Sequence, residues 1–427
     1  MNNNNKSLGV HFHPVTSKGL PVGAARPIGL EPIALYVHIP FCEKRCHFCA
    51  FAVVVDRQVT EQLVTDYLQS LYKEMRAFLD ACEHAPKIRL IQFGGGTPTA
   101  LSAENLDALL DFVFAQFDCT ELEEVIIEGF PTTITADRIA VIERVPNVKL
   151  NIGVQSFQAE CLDAVGRNHG ILAKEAIERA VASRIGSVGI DLILGLPAST
   201  PDSTRRDIET AVRCGADHFA FYPLWVYDQT TLKTRVRNGL IELPRLAAQY
   251  EQLVCGVDVL ADLGYERYTA FHYALRPDCR HQYGLWQMQA RNWIGFGMSA
   301  MSHVDGVIRF NDRNIRSYID RVERGEPTAV EQFVMTDRER MQFEFLYRLR
   351  VKSFLTAQFR EQFGITVEQA FGDKLALLDK LGLICVDTHT ISLTMHGTLH
   401  LREIEDCINE AAESVPVLSI KCEQPTA

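Results

Sequence analysis

Six short apolar runs recur along the first half of the chain: "ALYVHI" from Ala34, "IRLIQF" from Ile88, "LEEVIIE" from Leu122, "VKLNIGV" from Val148, "VGIDLIL" from Val188 and "DHFAFYPL" from Asp217. Each is rich in Val, Ile, Leu or Phe and apolar on both faces, the pattern of parallel strands covered on both sides. Between them lie amphipathic stretches with helix-start signals. These are Thr60 to Phe78, Ser102 ahead of a helix from Glu104 to Phe117, Thr135 before an acidic turn, and Pro201-Asp202 ahead of Ser203 to Arg213. Repeated βα units in one direction predict an α/β fold with the parallel sheet closed or partly closed into a barrel, whose chemistry sits at the carboxyl ends of the strands. Past residue 240 the rhythm weakens. A long helix is expected from Leu243 to Leu263, then an aromatic-rich segment to Trp293, the Gly-spaced "IGFGMSAMSH", and a helix-rich ending with a short two-stranded element in "ICVDTHTISLT". The expected division is an arm over 1–32, a barrel core over 33–240, a barrel extension over 241–335 and a C-terminal domain over 336–427.

Composition narrows the class. The chain has 427 residues, 47% apolar and 23% charged, which is ordinary for a globular protein. Its net charge of -11 and the lack of basic runs argue against a nucleic-acid partner. The first residues lack an apolar signal core and no window has the unbroken apolar length of a membrane span, so a cytoplasmic protein is expected. In that setting twelve cysteines read as thiols or metal ligands, and the nine scattered singly read as small buried hydrophobes.

The remaining three stand together. Cys42, Cys46 and Cys49 have the spacing C-x3-C-x2-C in the loop leaving the first strand. A structural zinc takes four protein ligands, whereas an iron-sulfur cluster held by three cysteines leaves one iron open for another ligand. Spacing alone favours the cluster and leaves zinc open. Other polar residues fall at strand ends in the same way: "FGGGTPT" from Phe93, Glu128 in "IIEGFPTT", Gln155 in "NIGVQSF" and Asp191 in "GIDLILGLP". Polar groups in apolar strands need partners, and three at successive strand ends suggest a ligand shell.

These stretches resemble the radical S-adenosylmethionine (SAM) superfamily. "YVHIPFCEKRCHFCAF", "FGGGTPT", "GVQSF", "GRNH" and "DLILGLP", in this order, resemble its oxygen-independent coproporphyrinogen III oxidase-like branch, over roughly residues 34 to 400. The resemblance implies a partial (β/α)6 barrel with a helix-rich, winged-helix-like C-terminal domain. It implies a [4Fe-4S] cluster on Cys42, Cys46 and Cys49 whose fourth iron chelates SAM, so that an electron from a reductase or flavodoxin-type donor releases a 5'-deoxyadenosyl radical. It further implies two SAM molecules, one contacted by Tyr36, Gly95 and Glu128, the other by Phe48, Gly96, Thr97, Gln155, Arg167 and Asp191.

Departures refine the expectation. The Pro-Arg-Tyr-Thr-Ser-Tyr-Pro segment of the true oxidases is replaced by "HFHPVTSKGLPVGAARPIGLEP". The His-Asn-x-x-Tyr-Trp haem-binding pattern of the related haem chaperones becomes "HQYGLW", keeping His281 and Trp286 but placing Gln282 and Leu285 at the other positions. "EGFPTT" replaces the chaperones' Glu-Ala-Asn-Pro. What remains resembles class C radical SAM methyltransferases and cyclopropanases. The leading expectation is therefore transfer of a methyl or methylene carbon from a second SAM to an sp2 carbon of an aromatic, conjugated or tetrapyrrole substrate. The alternatives are a haem chaperone or coproporphyrinogen oxidation. Glu128 and His272 are candidate catalytic groups, His272 as proton acceptor, and Tyr222, Trp225, Tyr227, Tyr273 and His281 are candidate substrate contacts.

Overall fold

A computed structural model describes residues 31–170 and 172–409. The expected N-terminal arm lies almost wholly outside the described residues. The six apolar runs form β1 (Ile33–Ile39), β2 (Ile88–Gly95), β3 (Glu124–Gly129), β4 (Val148–Gln155), β5 (Ser187–Leu194) and β6 (His218–Pro223). They pair in parallel and in chain order. Helices cover the outer face, and three begin at starts legible in the sequence. Thr60 accepts from Leu63 N at 3.2 Å and Ser102 from Asn105 N at 3.2 Å; at the third, Pro201 and Asp202 open the helix as expected, and the cap itself is Thr200, not singled out in the sequence, accepting from Ser203 N at 3.1 Å. Thr135 precedes a helix as expected (Ala136–Ile142) without capping it; its hydroxyl donates to Asp137 instead.

The sheet is longer than six strands. After β7 (Glu266–Arg267) and β8 (His272–Ala274), the Gly-spaced segment forms β9 (Trp293–Phe296) and β10 (Met301–Val304), followed by β11 (Val307–Asn311) and β12 (Ala329–Val334). The spatial order is β12-β11-β10-β9-β1-β2-β3-β4-β5-β6-β8-β7. Strand β9 joins β1 in parallel, and the outer strands on both sides are antiparallel. Thus β1, which delivers the cysteine loop, lies inside the sheet with every residue but Tyr36 buried.

The C-terminal part begins with a helix at Asp337–Arg348, opened by a reciprocal Thr336–Glu339 capping box. It ends in helices around a small antiparallel sheet of three strands, β13 (Phe354–Leu355), β14 (Ile384–Val386) and β15 (Thr390–Leu393), one more than expected. Its core (Phe345, Phe354, Phe359, Phe371) is continuous with Trp293 and Tyr283 of the barrel side. Among the described residues no helix is long and apolar enough to cross a membrane.

Candidate functional site

The chain leaves β1 at Ile39 and enters the cysteine loop at the carboxyl end of the sheet. Two glycines fix where that loop runs. Gly95 has φ +104°, and a Cβ there would stand 2.3 Å from the His38 ring; a Cβ on Gly96 would stand 2.7 Å from the Ile39 carbonyl oxygen. The glycines are thus required by the protein's own backbone crossing. Gly96 N donates to Ile39 O at 2.8 Å and Thr97 N to Phe41 O at 2.9 Å. The loop is clipped by Arg45, which donates to Phe51 O and Val53 O at 3.2 and 3.0 Å, and docks just ahead of the "GRNH" segment through His47 N to Val165 O at 2.9 Å.

A cavity of about 340 Å³ opens here. It is lined by Cys42, Cys46 and Cys49 and by Phe48, Gly95, Gly96, Thr97, Glu128, Gln155, Arg167 and Asp191, all candidates from the sequence. Tyr36 and His272 are not on this wall. The Tyr36 hydroxyl pairs with His38 Nδ1 at 3.1 Å, and burial, then the nearby Glu128 carboxylate, holds its phenol well above the ordinary range.

All three thiols are free. Burial, chiefly, with added repulsion from Cys49 and Cys46, pushes the Cys42 thiol up to about 12 against the opposing Thr97 hydroxyl, whose oxygen is 3.4 Å away. Cys49 is likewise raised, by burial and then by Cys46. Such thiols give up protons to a centre that brings positive charge, the donor chemistry of an iron-sulfur cluster. Among the described residues no three His, Cys, Asp or Glu side chains converge on a single metal ion. The three cysteines of this loop supply the three thiolates of a cluster that leaves one iron open. The residues fit a cluster.

Around the thiols the polar groups are held from behind. Arg167 donates Nε to Cys46 Sγ at 3.1 Å and Nη1 to Gly153 O at 2.5 Å, and its guanidinium stacks 4.7 Å from the Phe130 ring centroid and 5.5 Å from that of Phe48. Gln155 takes φ +70° where the β4–β5 register slips, a bulge that turns its side chain toward the cavity. Glu128 accepts from Gln92 Nε2 at 2.6 Å and Gly95 N at 3.2 Å; burial and then the Asp191 charge push its carboxyl up to about 7. Asp191, bonded by Asn151 Nδ2 at 2.7 Å, is pushed up to about 6 by burial, against Asn151 and Arg167.

Behind Glu128, Asn151 and Asp191 lies a second chamber of about 270 Å³, which shares those three residues with the first. Tyr222, Trp225, His272 and His281 line it with Phe271, Tyr347 and Arg350. Tyr273, next to His272 on β8, points the opposite way into the main core, and Tyr227 is off the wall. Trp286 packs in the second core with its Nε1 on Asn292 O at 2.7 Å. His281 stacks on His218 with centroids 3.6 Å apart, and its buried Nε2 has no partner among the described residues. Glu124 holds this segment by accepting from Gln282 N and Tyr283 N at 2.9 and 2.8 Å.

His272 is not presented as a free base. Thr269 Oγ1 accepts from Phe271 N and His272 N at 3.1 and 3.0 Å, which fills its lone pairs. Its proton must therefore go to His272 Nδ1, 2.7 Å away, leaving Nε2–H to donate to the Tyr222 oxygen at 2.9 Å. Burial lowers His272 to about 4, so the ring is neutral at physiological pH. The group offered to the chamber is the Tyr222 hydroxyl proton. Gln92, Asn151 and His218 were missed although each is a polar residue in an apolar run, the signal that found Asp191. Arg350, Thr269 and Phe130 carry no such signal.

Comparison with known proteins places these features in a wider setting. The Radical SAM superfamily model matches residues 36–211. The chain is 29% identical over 374 residues to heme chaperone HemW of Lactococcus lactis, covering 86% of this chain and 94% of that protein. It is 31% identical over 303 residues to HemW of Escherichia coli (70% and 76% covered), and 28% identical over 308 residues to anaerobilin synthase of Escherichia coli O157:H7 (72% and 68% covered). The structure of coproporphyrinogen III oxidase HemN from Escherichia coli superposes with a TM-score of 0.75 at 24% identity, over 88% of this chain and 90% of that one.

Proposed function

The chain belongs to the radical SAM superfamily, in its HemN/HemW-like branch, and from that premise we propose that it is a tetrapyrrole-handling radical SAM protein with haem as the ligand of the inner chamber. One observation carries this reading: the cysteine-lined cavity and the chamber lined by His281, His272, Tyr222 and Trp225 are separated by a single layer of side chains. The HemW relatives, named heme chaperones, support haem as that ligand.

Cys42, Cys46 and Cys49 would hold the [4Fe-4S] cluster, and Gly95 and Glu128 would position SAM. Bound together, cluster and SAM supply reductive sulfonium cleavage and a carbon-centred radical, given an electron from a flavodoxin-type donor. Glu128, once ionised, offers a carboxylate to the SAM ammonium; Arg167, Phe48 and Phe130 shield the thiols from water. His281 offers an imidazole nitrogen to haem iron. Anaerobic haem titration of the cluster-loaded protein should give one-to-one binding with a shifted Soret band, altered in His281→Ala. Absence of stoichiometric binding would sink the proposal.

A second reading has its own support. Gln155, Arg167 and Asp191 form a set of polar groups distinct from Glu128 and Gly95 in the same cavity, as two SAM molecules would need, and anaerobilin synthase is among the relatives. In this reading a methyl or methylene carbon passes from the second SAM to an sp2 carbon of the tetrapyrrole. SAM with a deuterated methyl group decides it: deuterium in 5'-deoxyadenosine together with S-adenosylhomocysteine supports transfer, and unlabelled 5'-deoxyadenosine without S-adenosylhomocysteine refutes it. The likeness to HemN bears on the fold alone.

A further inference from the structure

Gln155 ends β4 with φ +70°, a left-handed conformation that a residue with a Cβ holds only where its surroundings impose it. Two clamps flank it. On the preceding side Arg167 Nη1 donates to Gly153 O at 2.5 Å. On the following side Asp207, from the helix Pro201–Arg213, takes the next three residues: Ser156 Oγ donates to its Oδ2 at 2.6 Å, and Phe157 N and Gln158 Nε2 donate to its Oδ1 at 2.9 and 2.7 Å. Ser156 Oγ accepts in turn from Gln158 N at 3.0 Å, which closes the turn on itself. Asp207 is 7% exposed, and neither it nor residues 156–158 stand on the wall of the cysteine-lined cavity.

A buried carboxylate whose hydrogen bonds all go to the residues just beyond one cavity residue acts on a ligand through that residue. Inside the cavity the turn presents an amide with nothing on it: Gln155 is also 7% exposed, and among the described residues its side chain has no hydrogen-bond partner. A Cβ on Gly153 would stand 3.1 Å from Gln155 Nε2 and 3.8 Å from Arg167 Nη1, so amide and guanidinium converge on the space that this glycine leaves open. We infer that Asp207 is a positioning residue of the second SAM site, holding the left-handed turn that keeps the Gln155 amide beside Arg167. The inference rests on the two-SAM reading and adds to it a residue that touches no ligand. Glu128 and Gly95, bonded to each other at 3.2 Å on neighbouring strands, take no support from this turn, so a first SAM there is independent of Asp207.

The test is anaerobic equilibrium dialysis of labelled SAM against the cluster-loaded full chain, without reductant. The wild type should bind two SAM molecules. Asp207→Ala should weaken one of them roughly 10- to 100-fold, the loss expected when the hydrogen bonds that order a polar contact are removed, and leave the other unchanged, which also shows that the variant is folded. Gln155→Ala should weaken one site alike, and in that background Asp207→Ala should add no further loss, as required of a residue that acts through another. Asp207→Asn can accept from Phe157 N and Gln158 Nε2 and donate to Ser156 Oγ, and it should bind both molecules as the wild type does. Ser156→Ala removes one of the three bonds and should show the same selective loss more weakly, which decides the role even where Asp207→Ala does not fold. Equal weakening of both sites, or of neither, overturns the positioning role while the two-SAM reading survives; a single SAM on the wild type overturns both.

Discussion

Glu128 gives the most quantitative prediction. Its side chain faces the cavity rather than bulk water, and burial with the Asp191 charge carries its carboxyl from the ordinary 4.5 to about 7 in the ligand-free protein. A carboxyl raised on folding stabilises the native state fully below pH 4.5, and that contribution is lost as the pH rises through 7, because the unfolded chain ionises first. At ~1.4 kcal/mol per pH unit the span is worth at most about 3 kcal/mol. Buried histidines act in the opposite sense: His272, lowered to about 4 by burial, costs stability as the pH falls from 6.5. The comparison must therefore be made between proteins. Urea unfolding of the cluster-free wild type and of Glu128→Gln at pH 5 and pH 8 should differ in pH dependence by about 2–3 kcal/mol, the wild type losing more on going to pH 8. Where ionised Glu128 holds SAM, binding releases a proton below pH 7, so the affinity should rise more steeply with pH in the wild type than in the variant, in which Asp191 still titrates. Identical pH dependences in the two proteins would refute the electrostatic account of this carboxyl.

Cys46→Ala should abolish the visible absorbance of the reconstituted protein and its SAM cleavage while leaving its urea midpoint nearly unchanged; retained cleavage would sink the cluster assignment. Gly95→Ala forces a side chain into φ +104° and within 2.3 Å of the His38 ring. Left-handed strain of ~1–2 kcal/mol and overpacking of ~1–3 kcal/mol should lower stability by about 2–5 kcal/mol and reduce iron incorporation, as read by denaturation and metal analysis.

The barrel strands and most of the first cavity were legible because the signals are local: continuous apolar runs, hydroxyl caps, glycines at a crossing, and polar residues at strand ends. All of the cluster and SAM candidates except Tyr36 line one cavity. Tyr36 differs because its hydroxyl is turned to the His38 ring, two residues along β1, and does not reach the cavity wall. Strands β9 to β12 lack the long apolar runs of β1 to β6: β9 joins β1 through a long-range parallel pairing, and β10, β11 and β12 follow it as an antiparallel series. The surroundings of His272 were not legible for a similar reason. Its availability is decided by the lone pairs of Thr269 and the hydroxyl of Tyr222, fifty residues away, and no spacing rule contains that information.

The setting of the cysteine loop bears on how such a protein survives air. Strand β1 is held between two parallel neighbours, whereas every residue from 43 to 51 keeps part of its surface in solvent. The oxygen-sensitive part is thus a surface fitting on a scaffold that is complete without it. Oxidative loss of iron would disarm the molecule and leave the scaffold standing, and the same polypeptide could be recharged when anaerobic conditions return. Its working lifetime would then be set by the supply of iron and sulfide rather than by new synthesis.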